Sequence, residues 1–304
     1  MRQSKLLLKM VALTACLLCA ISAMAQEAYA NYTPSNTTLT FYYDNLRSTR
    51  TGTTFDILYA IYPDWVIGTS RVNDYVTTVV FDATFADARP LTTEMWFADM
   101  TNLTTITGIE YLNTSRVTDM MIMFSNCSAL TDLDVSGFKT SRVTNMAGMF
   151  NGCSHLTTLD LSSFNTAKLE YTLQMFRNCG NLRTIYVGDQ WDATDLTNSN
   201  EMFDGCTNLV GGQGTTYDAD HIDAEYAHID GGPSNPGYFT AKFTRGDVND
   251  DGNVTITDVT ALINYLLSHN TTGVNIDAAD CNQDTNVTIT DVTALINYLL
   301  SHSW

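Results

Sequence analysis

The feature that most constrains this chain is a cysteine that returns at nearly constant intervals: Cys127, Cys153, Cys179 and Cys206 are separated by 26, 26 and 27 residues. Its surroundings return with it. Met123-Phe124-Ser125-Asn126-Cys127-Ser128-Ala129-Leu130 recurs as Met149-Phe150-Asn151-Gly152-Cys153-Ser154-His155-Leu156 and as Met175-Phe176-Arg177-Asn178-Cys179-Gly180-Asn181-Leu182, and a fourth copy opens at Met202-Phe203-Asp204-Gly205-Cys206. A degenerate earlier copy, Trp96-Phe97-Ala98-Asp99-Met100-Thr101-Asn102-Leu103, carries Met100 in place of the cysteine. A turn of this size cannot bury its own apolar face, whereas stacked turns make continuous Leu, Phe, Met and Cys columns. The period therefore predicts a stack running from residue 96 to residue 209.

Two periods alternate within each turn. Met120, Met123, Phe124 and Cys127, like Met146, Met149, Phe150 and Cys153, are spaced i, i+3, i+4, i+7, which predicts a short helix with Thr118 and Thr144 as its caps. Leu130-x-x-Leu133-x-Val135 and its copies then predict a short strand with Leu133, Leu159 and Ile185 pointing inward, and Phe138 and Phe164 fill the bend. The cysteines are expected as buried free thiols, because a zinc site needs close Cys pairs and the sequence has none. Outward strand positions, Thr105 and Thr107, Asp132 and Asp134, Thr158 and Asp160, Thr184 and Tyr186, form a polar, acidic stripe that reads either as a solvated face or as a recognition ladder. A second column, Arg116, Arg142 and Lys168, places a cation one residue before the inward Val117, Val143 and Leu169; pairing with neighbouring acids would contribute little there.

Residues 1–25 read as a signal peptide, with Arg2, Lys5 and Lys9 before an apolar run from Met10 to Ile21 and a small-residue cleavage site at Ala23-Met24-Ala25. A lipoprotein box at Leu13-Thr14-Ala15-Cys16 is the competing reading, but the apolar run continues through Leu17, Leu18 and Cys19. No other apolar run could span a bilayer. Residues 26–304 keep 12 Lys and Arg against all 33 Asp and Glu, a balance of −21 that argues against a nucleic-acid partner. Segment 26–95 is rich in Thr and aromatic residues (Tyr32, Phe41, Tyr42, Tyr43, Phe55, Tyr59, Tyr62 and Trp65) and is expected as a β-rich cap over the first turn, with a carbohydrate platform as the alternative use of those rings. Segment 210–245 is expected as a second cap and linker.

Residues 246–304 hold a different duplication, two units offset by 33 residues, with Asn253 to His269 repeated identically as Asn286 to His302. In the first, Asp247, Asn249, Asp251, Asn253, Thr255 and Asp258 fall at the first, third, fifth, seventh, ninth and twelfth positions of a loop, the pattern of oxygen donors that calcium requires, with Gly252 for the sharp turn. Asp280, Asn282, Asp284, Asn286, Thr288 and Asp291 match them in the second loop. Thr285 replaces the glycine there, so a weaker second site is expected. Val259, Leu262, Ile263, Leu266 and Val292, Leu295, Ile296, Leu299 then follow helical spacing, predicting one amphipathic helix after each loop. So small a core should need its ions to fold. The chain has no G-x-S-x-G or HExxH motif, and its five histidines are scattered, so no enzyme is expected.

The repeats resemble the BspA-type leucine-rich repeat family of bacterial surface proteins, whose turn runs MF-x-x-C-x-x-L-x-x-LDLS-x-F-x-T-S-x-V-T-x-M. The segments Val79 to Pro90 and Gly231 to Thr240 resemble those that flank the family's repeats, so the likeness extends over roughly residues 40 to 240. The turn at Met175 departs from the pattern, running Asp192-Ala193-Thr194-Asp195-Leu196. One loop and one exiting helix per unit make residues 246–304 similar to a type I dockerin. Together these resemblances imply a leucine-rich-repeat solenoid of about four to five turns, built of short parallel strands and short helices, with a β-rich N-terminal cap. A small all-α dockerin domain holding two calcium ions would follow it. They also imply a secreted or surface protein whose repeats meet a host protein or glycan, and a cohesin module, on a scaffoldin or cell surface, as the dockerin's partner. A polysaccharide-degrading assembly is one such setting, and noncovalent attachment is expected because the chain carries no LPxTG-like anchor. Transferred from the dockerin family, the partner-binding residues are Ile256, Thr257, Asn264 and Ser268, with Ile289, Thr290, Asn297 and Ser301 as a symmetric set that would permit two binding orientations. A free adhesin with a calcium-stabilised C-terminal module is the alternative function, and a carbohydrate-active enzyme a more distant one.

Overall fold

The computed structural model describes residues 26–57, 62–69, 71–188, 190–194, 196–243, 245–282, 284 and 286–303. The readings made above for segment 1–25, Tyr59, Asp195, Thr285 and Trp304 lie outside the described residues. The chain divides into two units between Thr240 and Ala241.

The first unit opens with strands β1 (Glu27–Thr33), β2 (Thr38–Asp44) and β3 (Thr53–Asp56), followed by a one-turn helix α1 (Asp64–Ile67), β4 (Thr78–Phe81) and β5 (Thr105–Thr107). These strands form one sheet in the order β3-β1-β2-β4-β5. β1 runs antiparallel to β2 and β3, while β4 is parallel to β2 and β5 parallel to β4. β2 is thus the seam between a hairpin-built cap and the stacked turns. Most of the aromatic residues expected in this segment go inside. Phe41 stacks on Phe81 and Trp96 at centroid distances of 4.7 and 5.2 Å. The buried Trp65 donates its indole N–H to the Trp96 carbonyl at 2.7 Å. Tyr62, by contrast, is exposed.

Stacking begins earlier than residue 96. β4 stands in register with β5, Thr78 opposite Thr105 and Val79 opposite Ile106. Phe85, Leu112, Phe138 and Phe164 occupy equivalent bends and are all buried. The segment from Thr78 is therefore a turn of the stack; without a Met-Phe-x-x-Cys box, it reads in the sequence as a flanking segment only.

The helices expected within the repeats do not form. Met120, Met123, Phe124, Cys127 and their equivalents are fully buried, but each turn contains two left-handed residues four positions apart, such as Ile122 and Asn126 with φ of 58° each. Alternate N–H groups close tight turns, as Met123 N–H does on Met120 C=O and Cys127 N–H on Phe124 C=O; those between them donate to the next repeat, Met120 N–H to Asn145 C=O and Phe124 N–H to Met149 C=O. Successive β-turns send one corner inward every three or four residues, which imitates helical spacing. Thr118 and Thr144 are not caps: their hydroxyls reach back to the carbonyls of Leu91 and Thr118 in the preceding turn. Asp119 and Asn145 do the local work, accepting from the N–H groups of Met121 and Ala147.

The strand prediction holds in part. β6 (Thr158–Leu161) and β7 (Thr184–Val187) pair in parallel, Leu159 opposite Ile185, and β8 (Phe239–Ala241) extends that sheet in the order β6-β7-β8. The segment around Leu133 buries Leu133 and Val135 but forms no strand. Parallel bridges Thr92–Asp119, Asp119–Asn145, Asn145–Tyr171 and Tyr171–Asn198 tie successive turns together. Phe97, Phe124, Phe150, Phe176 and Phe203 stack at 5.2 to 5.9 Å, with interplanar angles down to 2°. The four repeat cysteines are buried free thiols, each donating its S–H to a phenylalanine carbonyl one turn back, as Cys153 does to Phe124 at 3.1 Å. Burial pushes all four thiols well up.

The far end of the unit is pinned by Asp230, a buried carboxylate that accepts from the N–H groups of Gln213, Thr215 and Gly232 and from the Thr215 hydroxyl. Burial alone would raise its pKa, but these donors overcome it and hold the carboxyl at about 2.

The second unit contains α2 (Ile256–Ser268), α3 (Ile276–Ala279) and α4 (Ile289–Ser301). Val248, Val259, Leu262, Ala279, Cys281, Val292 and Leu295 form its core. The short α3, just before the second loop, has no counterpart among the described residues before the first, and no spacing in the sequence predicts it.

Candidate functional site

Each loop of the second unit is organised by the carboxylate at its twelfth position. Asp258 is fully buried; one oxygen accepts from Asn249 N–H at 3.0 Å and the other from Thr255 N–H at 2.8 Å. Asp291 does the same for Asn282 N–H and Thr288 N–H at 3.0 and 2.8 Å. Thr255 and Thr288, the oxygen donors expected at the ninth loop positions, are the N-caps of α2 and α4, and with Asp258 and Asp291 they complete capping boxes. The sequence T-I-T-D thus begins a helix and closes a loop at once.

Asp247 is buried and accepts from Asp251 N–H and Gly252 N–H at 3.0 and 2.8 Å. Its carboxyl is pushed up by burial and by the nearby charges of Asp258 and Asp251, against those two N–H donors. Gly252 adopts a φ of +84°, supplying the turn expected of it, and Asp250 is also left-handed at 59°. Asn249 accepts from Asp251 N–H, and Asp251 from Asn253 N–H, so the side chains are folded over the loop backbone. In the second loop, Asp284 N–H donates to Asp280 and Asn282, and Asn286 N–H to Asp284.

Among the described residues, no group of three or more His, Cys, Asp or Glu side chains is placed to hold a metal. A calcium loop also draws on amide oxygens, backbone carbonyls and water, so the wider donor set matters. That set is all oxygen, and it gathers carboxylates around the buried Asp247, Asp258 and Asp291. These residues fit a hard divalent cation of calcium's type.

Of the expected partner-binding residues, Ile256, Thr257, Asn264, Ser268, Ile289, Thr290, Asn297 and Ser301 are all exposed. Asn249 and Asn282 donate to the hydroxyls of Thr257 and Thr290 at 3.0 and 2.9 Å, which ties these positions to the loops. Ser268 and Ser301 donate to the carbonyls of Asn264 and Asn297 within their own helices. Ile263 and Ile296, read from the sequence as lying between core and surface, are 38% and 39% exposed, because each helix buries only a narrow stripe. Leu267 and Leu300, missed in the sequence, are 80% exposed. Ile256, Ile263 and Leu267 follow i, i+7, i+11 spacing, so each of the two long helices carries an uncovered apolar ridge.

On the repeat unit, Thr105, Thr107, Asp132, Asp134 and Thr158 are exposed and Asp160, Thr184 and Tyr186 half-buried. Two of the acids have structural work: Asp134 accepts from Ser136 N–H and Asp160 from both the N–H and hydroxyl of Ser162. The D-x-S spacing was the available signal for these turns. No helix among the described residues is long and apolar enough to cross a membrane.

Comparison with known proteins assigns the two regions separately. Residues 92–213 match a family described as "Mycoplasma protein of unknown function, DUF285". None of the curated proteins or solved structures matches the chain. Residues 245–300 match the dockerin type I domain, a class of domain that binds calcium and implies a cohesin partner.

Proposed function

We propose that this protein is a non-catalytic, exported binding scaffold. Its repeat unit is a leucine-rich-repeat type of solenoid that recognises a protein or glycan target, and its dockerin, loaded with two calcium ions, docks the chain onto a cohesin-bearing surface or polysaccharide-degrading assembly. The observation that carries this reading is the pair of ridges Ile256/Ile263/Leu267 and Ile289/Ile296/Leu300, identical in sequence and uncovered, in a domain that matches dockerins. Apolar side chains exposed in such a pattern are a partner's footprint more often than a solvated face. Calcium would be held by Asp247, Asn249, Asp251, Asn253 and Asp258 in the first loop and by Asp280, Asn282, Asp284, Asn286 and Asp291 in the second, where it would neutralise the clustered carboxylates.

Calorimetric titration of the full chain with calcium, then with a panel of cohesins with and without chelator, tests this. Calcium uptake followed by calcium-dependent cohesin binding is the expected result. Calcium uptake with no cohesin bound would leave a free adhesin with a calcium-stabilised module, and no uptake would overturn the docking function.

A further inference from the structure

The repeat unit carries a row of cations that no ion pair engages among the described residues. Superposing the turns through the bridges Thr92–Asp119–Asn145–Tyr171 aligns Arg89 with Arg116, Arg142 and Lys168, so the row is one step longer than the sequence reading made it. All four are exposed, as is Lys139 beside them. Among the described residues, ion pairs engage Arg47, Arg50, Arg71 and Arg177; none engages these five, although the chain holds 33 Asp and Glu. One acid in the row's own turns, Asp119, is occupied by Met121 N–H and the Asn145 amide.

The row stands on rigid backbone. The buried hydroxyls of Thr114 and Thr140 donate to the carbonyls of Lys139 and Asn165 one turn on and accept their N–H groups in return. Neighbouring turns joined in this way lie about 4.8 Å apart, so the backbone sets the four cationic residues in line over about 15 Å; the Arg89 guanidinium also donates to the Ala86 and Ala88 carbonyls at 2.6 and 2.7 Å. Like charges at that spacing repel one another, a cost that a bound polyanion would remove. The row also leads into a concavity. Arg89 and Arg116, with Tyr43, Pro90 and Leu91, line a cleft of about 440 Å³ that Asp87 also borders, within the range of small-ligand sites. At the other end, Tyr171 presents a ring 44% exposed three residues beyond Lys168.

We infer that this row and its cleft bind an extended anionic polysaccharide, with uronate or sulfate groups meeting successive cations. The inference rests on the reading of the repeat unit as the recognition element and specifies its target. A sugar chain fits better than a protein, because among the described residues only Leu91 and Tyr171 are large apolar side chains exposed beside the row, too few for the apolar core of a protein interface. The hydroxyls and amides that flank the row, Ser115 and Ser141 among them, suit sugar hydroxyls.

Binding of the full chain to polygalacturonate, dextran sulfate, neutral dextran and polyglutamate tests the inference, at low and at about 1 M salt, where the screening length falls to about 3 Å. Binding to polygalacturonate, to dextran sulfate or to both, absent with dextran and lost at high salt, is expected; which polymer binds identifies the charged group. The R116Q/R142Q variant should bind at least about tenfold more weakly, since each guanidinium makes charge-assisted hydrogen bonds, whereas R183Q, an exposed cation outside the row, should be unchanged. Glycan binding that survives R116Q/R142Q, tighter binding of polyglutamate than of either anionic glycan, or binding of none of the polymers overturns the inference. Cohesin binding by the parent chain and the same variants reads the docking function separately: its absence in the parent chain would sink that function without touching the result for the row.

Discussion

At the scale of single residues, Asp230 has the clearest consequence. Its folded pKa of about 2 lies below the ordinary value of 3.8. The fold therefore favours its charged form, and the stability this contributes is complete above about pH 4 and lost as the pH falls towards 2; the shift corresponds to about 2 kcal/mol. Thermal melts of Asp230→Asn should show a lower Tm than the parent at pH 7, and the gap should close as the pH approaches 2. Nothing in the sequence marks this residue, because its donors come from a loop 15 to 17 residues earlier and from Gly232. The cysteines are the opposite case. Their regular spacing and apolar neighbours were enough to place them inside, and the high thiol pKa values follow from that burial. A small maleimide should label none of the five thiols from Cys127 to Cys281 in the native protein and all five in denaturant, as read by intact mass.

At the scale of elements, the left-handed positions decide what a turn can be. Asp99, Asn126, Gly152, Asn178 and Gly205 occupy one such column. A methyl group on Gly152 would both strain a φ of +73° and collide with the Asn126 carboxamide oxygen. Gly152→Ala should therefore lower stability by more than the roughly 1 to 2 kcal/mol of the backbone strain alone. Gly214→Ala, at a φ of +94° with nothing within 4 Å, isolates that strain as the comparison in chemical denaturation. Phe150, stacked between Phe124 and Phe176, should cost about 3 to 5 kcal/mol as Phe150→Ala. Which side chains go inside was legible from spacing. The backbone carrying them was not, since consecutive β-turns and a helix bury nearly the same positions, and only the alternation of local and inter-turn hydrogen bonds tells them apart. The Asn and Gly residues recurring at the ends of the boxes were the overlooked sign.

At the scale of the whole molecule, the division at Thr240 and Ala241 separates a long apolar core from a small one. If calcium supplies what the small core lacks, scanning calorimetry of the full chain should show two transitions, and chelator should abolish or strongly lower one while leaving the other in place. Charge-introducing variants probe the paired ridges. Leu267→Asp or Leu300→Asp alone should leave cohesin binding within about twofold, because the other face remains, while the double variant should lose it. Loss of binding on changing Ile256 and Thr257 alone would rule out two equivalent faces.

The sequence by itself determined the repeat, its inward columns, the duplicated loops with their oxygen donors, and the helices that follow them. Each depends on residue type at a fixed local spacing, and local spacing survives in a linear chain. Only the tertiary structure decided that the Met-Phe-x-x-Cys boxes are turns, that stacking begins at Thr78, that Ile263 and Leu267 stay outside, and that Arg89 completes a row of cations. Those outcomes depend on which backbone groups find partners one turn away and on how much of each face a neighbour covers, and both are properties of packing between segments that are far apart in the chain.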